Sequence, residues 1–160
     1  MLRLMLSAVC VLAAAAPLHA ESPTLKATDI SGRWQGDSYA IGGAPAKLTL
    51  DIVACGGRWC GVSVEANNSC GATALKLDAG QTTTDNVTFK GTLALARGTE
   101  PYTVQSYLIP ASEGDPVRLQ VIGDTGGTFR IFRRSFPFEA QLTRTRDAVC
   151  KPTEIISMAD

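Results

Sequence analysis

The chain of 160 residues sets 15 Lys and Arg against 15 Asp and Glu, carries one histidine, and is 45% apolar, enough for one domain with one core. The even charge gives no global electrostatic bias towards nucleic acid or an anionic membrane.

Residues 1–20 read as a signal peptide: Arg3 precedes an apolar run from Met5 to Ala16, and Leu18-His19-Ala20 offers cleavage after Ala20. The run falls short of the roughly 20 apolar residues that cross a bilayer, so the expected product is periplasmic or secreted, with no transmembrane anchor after cleavage. Removal of this segment takes away His19, Cys10 and Arg3. What remains has 14 basic and 15 acidic residues, no histidine, and four cysteines.

An even cysteine count in an exported chain reads as two disulfides. Of the three pairings of Cys55, Cys60, Cys70 and Cys150, the favoured one is Cys55–Cys60 with Cys70–Cys150, because Gly56-Gly57 preorganises a tight reversal between the first two. A four-cysteine zinc site is the rival. The C-x₄-C spacing and the oxidising compartment both weigh against it.

In chain order, 21–29 is a loose N-terminal arm, 30–150 a single domain and 151–160 a tail. The first strand spans 30–39, with Ile30, Gly32, Trp34 and Gly36 on one face and Arg33, Gln35, Asp37 and Tyr39 on the other. Leu48, Leu50 and Ile52 alternate in the second strand. Cys60, Val62 and Val64 form the apolar face of the third, and residues 70–77 are a fourth. A polar loop at 81–86 leads to the strongest alternation, Val87, Phe89, Gly91, Leu93 and Leu95. Further strands follow at 102–109, at Val117, Leu119 and Val121, at Phe129 and Ile131, and at Phe138, Ala140 and Leu142 after a bend at Pro137. Eight or nine short antiparallel strands, with no major helix outside the signal, predict an all-β barrel, with a β-sandwich as the alternative.

Gly32-Arg33-Trp34 is similar to the G-x-W of lipocalins and other calycins. That resemblance implies an eight-stranded barrel in which Trp34 closes one end against an arginine from the last strand. Arg144 shares parity with Phe138, Ala140 and Leu142 and is the candidate, and a stacked pair of this kind is physically favourable. The run Cys55-Gly56-Gly57-Arg58-Trp59-Cys60-Gly61 resembles the C-G-x-x-[LW]-C-G of a secreted bacterial family, domain of unknown function 2147. Tyr102-Thr-Val104 and Leu142-Thr-Arg144 fit more loosely, and the match spans 30–144. It implies a calycin-like barrel and no assigned chemistry.

Without histidine, Ser-His-Asp and Cys-His nucleophile pairs and His-based metal sites are excluded. Asp51, Glu65, Asp78, Glu100, Asp124 and Glu139 fall at turns or on polar strand faces, the places of solvated carboxylates, so no catalytic, cofactor-binding or metal-binding residues are expected and the chain is read as no enzyme. Arg130, Arg133, Arg134 and Arg146 form a candidate anion patch. The expectation is an exported, non-enzymatic, lipocalin-like barrel that binds a small apolar ligand or a cell-envelope partner. An interior filled by Phe89, Leu93, Tyr102 and Phe138 would weigh against the ligand. The alternative is an inhibitor barrel: bacterial inhibitors of secreted metalloproteases share the G-x-W-like start and act through an N-terminal arm, here 21–29.

Overall fold

The period-two alternation of the sequence becomes nine antiparallel strands in the computed structural model, which describes residues 24–40, 44–96, 100–112, 114–125 and 137–152. They are β1 (Gly32–Ala40), β2 (Ala46–Cys55), β3 (Arg58–Val64), β4 (Cys70–Leu77), β5 (Gln81–Thr82), β6 (Val87–Leu93), β7 (Tyr102–Ile109), β8 (Arg118–Asp124) and β9 (Pro137–Arg146). Each strand pairs with its neighbour in sequence except across the two closing seams, β1 with β9 and β4 with β6. Eight strands therefore close into an up-and-down, calycin-like barrel, and the two-residue β5 flanks β6. The closed seams set the sandwich alternative aside.

Trp34, Leu50, Ile52, Leu75, Leu77, Phe89, Leu93, Leu108, Leu119 and Leu142 fill the barrel, none more than 1% exposed. Burial of each such side chain contributes about 1.5–3 kcal/mol. The rings of Tyr102 and Phe138 meet with centroids 5.2 Å apart beside this core. Closure also needs strands to bend sharply. At Gly36 a Cβ would collide with the Gln141 carbonyl of β9, and at Gly91 with the Lys76 carbonyl of β4. Both closing seams thus depend on a residue without a side chain.

The cysteine hairpin is a two-residue turn with φ of 58° at Gly56 and 76° at Gly57, the type I′ geometry that suits a twisted pair of strands. Cys55 stands opposite Arg58 and Cys60 opposite Val53, so the Cys55–Cys60 disulfide crosses the hairpin diagonally, with Cα atoms 5.8 Å apart.

Three local expectations differ from the structure. Residues 24–29 are not a loose arm: they lead through a 3₁₀ turn, Ala27–Ile30, that caps one end of the barrel. Ile30 is fully buried there, and Leu25 and Ala27 pack against the core. Trp34 fixes this cap, its indole Nε1 donating to the Ile30 carbonyl at 2.7 Å. In β3 the faces are exchanged, since Gly61 is opposite Ile52 and beside Leu75 while Val62 is opposite Asp51. The polar loop at 81–86 contains the two residues of β5. Pro137 opens β9 opposite Asp124, an end position where its missing N–H is tolerated. The strand expected at Phe129 and Ile131 lies outside the described residues.

Candidate functional site

Among the described residues, charged and polar groups gather in a cluster on the outer wall near the capped end and along concavities on that wall, two of which lie on different parts of it.

The cluster begins with register. Arg33 of β1 is opposite Asp51 of β2, Asp51 is opposite Val62 of β3, and Val62 is opposite Thr73 of β4. This row faces away from the barrel core, yet Arg33 is 4%, Asp51 0% and Val62 1% exposed. The chain after β9 explains the burial. Cys150 is itself buried and is bonded to Cys70 at the start of β4, which draws residues 147–150 over the row.

Under this strap Arg33 and Asp51 form a bidentate pair, with Nε to Oδ1 at 2.6 Å and Nη2 to Oδ2 at 2.8 Å. Oδ2 also accepts the backbone N–H groups of Val149 at 2.8 Å and Cys150 at 2.7 Å. Burial by itself would raise the Asp51 pKa. The Arg33 hydrogen bonds, the two backbone donors and the Arg33 charge outweigh it and hold the carboxyl at about 2. Hydrogen bonding to Asp51 raises the Arg33 pKa against the opposing effect of burial. Both Asp51 oxygens are thus engaged within the protein, and Arg33 meets them through Nε and Nη2, so the cluster is a clamp on the C-terminal strap. The expectation that Asp51 is a solvated carboxylate is corrected; Arg33 stands on the face opposite Trp34, as the alternation predicts, but is covered there.

The remaining sequence-predicted residues fall as follows. Cys70 and Cys150 are joined with Cα atoms 5.5 Å apart, and Cys55 is joined to Cys60. Trp34 and Arg144 are opposite each other in the β1–β9 ladder. Arg144 lies across Gly32, donates from Nε to the Ser31 carbonyl at 3.0 Å and pairs through Nη2 with Asp147 at 2.8 Å. These bonds tie the last strand to the capped end beside Trp34. Arg130, Arg133 and Arg134 lie outside the described residues. Arg146 is opposite Arg33 and donates from Nη2 to Asn68 Oδ1 at 3.3 Å.

Of the concavities, a groove of about 750 Å³ runs across the outer face of β6, β7, β8, β9 and the end of β1. Lys90, Gln105, Ile122, Glu139 and Tyr39 follow one another across it in register, and Tyr39 is 52% exposed. The second, a cleft of about 590 Å³, lies near the capped end between β1, β2 and the loop after β3, with Arg33, Gln35, Lys47, Thr49, Asn68 and Arg146 in its lining. Among the described residues no cluster of three His, Cys, Asp or Glu side chains has metal-ligating geometry.

Sequence reasoning missed the Arg33–Asp51 clamp. The usable signal was two opposite charges placed at facing positions of one hairpin, each next to a core residue, Trp34 and Leu50.

The chain matches no family model, no curated protein and no solved structure.

Proposed function

We propose that this chain is an exported, non-enzymatic barrel that recognises a cell-envelope partner with its outer surface, the groove from Lys90 to Tyr39 being the contact. One observation carries the reading. The interior is taken up by the protein's own side chains, with Trp34, Phe89, Leu93 and Phe138 at most 2% exposed and Tyr102 half-buried against the core. An eight-stranded barrel holds either side chains or one ligand, and an apolar molecule here would have to displace a close-packed core.

The groove has the mixed character of a protein contact, with Tyr39 and Ile122 among Lys90, Gln105 and Glu139. Export is supported by the two disulfides and by the pattern of residues 1–20. Kinship with the domain of unknown function 2147 family is supported by Gly32-Arg33-Trp34 and by the Cys55 to Gly61 hairpin, and it carries no chemistry with it. The inhibitor reading has no comparable support, because Leu25 and Ala27 of the N-terminal arm are spent on the barrel core.

The test is photo-crosslinking in the living envelope, with benzoylphenylalanine replacing Tyr39 in one strain and exposed Ala54 in another. A discrete protein adduct from position 39 alone supports the reading. No adduct at 39, or the same adducts from both positions, contradicts it.

A further inference from the structure

In the cleft near the capped end, two arginines face each other directly across the β1–β9 ladder, Arg33 and Arg146. Like charges opposite one another destabilise a sheet unless anions intervene. Arg33 is compensated from behind by Asp51. Arg146 has no carboxylate partner among the described residues. The other charges nearby do not serve it: Asp37 is paired with Lys47 at 2.7 Å, Asp147 with Arg144, and the Glu65 carboxylate leans over Gly71 of β4.

Instead, both guanidinium groups converge on one neutral oxygen. Asn68 Oδ1 accepts from Arg33 Nη1 at 3.2 Å and from Arg146 Nη2 at 3.3 Å. The amide must turn its oxygen this way, because its NH₂ group would set donor against donor. Asn68 itself sits at φ 63°, a left-handed conformation that Asn and Asp tolerate better than most residues. Two cationic forks aimed at an uncharged acceptor are the geometry of an anion site held by a substitute. Gln35, Thr49, Thr145 and Lys47 add hydrogen-bonding groups to the lining, which Val64, Ala66 and one carboxylate, Glu65, complete.

We infer that this cleft binds the oxyanion of a small solute, a carboxylate or phosphate group, on Arg146 with Arg33 behind it. The inference rests on this geometry alone and is independent of the groove proposed above.

The experiment follows the ¹⁵N–¹H signals of the arginine Nε groups, and the Tm, while the processed protein is titrated with sodium phosphate or sodium acetate against sodium chloride at equal ionic strength. The expected result is a saturable shift at Arg146 with either oxyanion and a rise in Tm that chloride does not give. Arg146→Gln should weaken that response about tenfold, the loss of one charge-assisted contact. Asn68→Asp supplies the anion internally, so it should raise the Tm in chloride and abolish the oxyanion response. Equal shifts in chloride, a response that never saturates, or an oxyanion response undiminished in both variants overturns the inference. Binding to phosphatidylglycerol vesicles without any response to dissolved phosphate overturns the small-solute source.

Discussion

Asp51 and Arg33 meet edge to edge beneath the C-terminal strap, and the same carboxylate holds the backbone of Val149 and Cys150. One buried group therefore joins the first hairpin to the end of the domain. Its acidity gives the relationship a measurable sign. The Asp51 pKa falls from an ordinary 3.8 to about 2 on folding, so the stabilisation is fully present above pH 3.8 and is lost as the pH falls through 2. A shift of that size corresponds to about 2 kcal/mol. Urea unfolding across this pH range should trace that loss, and Asp51→Asn should flatten it. At neutral pH the same variant should lose about 3–5 kcal/mol, because the Arg33 charge stays buried without its partner.

The strap is held twice, by Asp51 and by Cys70–Cys150, and the bridge spans 80 residues whereas Cys55–Cys60 spans 5. Loop-closure entropy assigns about 4–5 kcal/mol to the long bridge and about 2 kcal/mol to the short one. Replacing Cys70 and Cys150 by serine should accordingly lower the denaturation midpoint about twice as far as replacing Cys55 and Cys60. Combining the first change with Asp51→Asn should cost less than the sum of the two, since both release one segment. Strict additivity would mean that the strap is not a shared element.

Which parts were legible follows from the same segment. Core strands such as Val87, Phe89 and Leu93, or Leu48, Leu50 and Ile52, declare themselves by alternation, because water lies on one side of them and the core on the other. That logic fails where the outer side is also covered. Val62 reads as inward and Asp51 as solvated until Cys150, distant in sequence, is brought over both. The 3₁₀ cap was equally hidden: Leu25, Ala27 and Ile30 form no period long enough to register, and Trp34 secures them through a backbone carbonyl.

Gly36 should not accept alanine. The added Cβ would meet the Gln141 carbonyl across the β1–β9 seam, a backbone atom that cannot step aside without breaking the ladder. Overpacking of this kind costs about 1–3 kcal/mol. Chemical denaturation of Gly36→Ala should report such a loss. Gly56→Ala, at a turn position with open space around it, should instead lose only about the cost of holding alanine at φ 58°, roughly 1–2 kcal/mol.

Ser106 points into the core opposite Phe89 and Val121, fully buried, and its hydroxyl has no hydrogen-bond partner among the described residues. An unpartnered buried hydroxyl costs on the order of 1–3 kcal/mol. Ser106→Ala is expected to raise the Tm measurably. A fall of several degrees would mean that the hydroxyl is serving a partner inside the barrel.

The claim that the barrel is filled, and that recognition therefore happens on its outer wall, is tested most directly by titrating the processed protein carrying Trp59→Phe with a fluorescent fatty acid and following energy transfer from Trp34 in the core. The filled barrel predicts no saturable transfer up to the solubility limit of the probe. Saturable, one-to-one transfer that an unlabelled fatty acid displaces would contradict it.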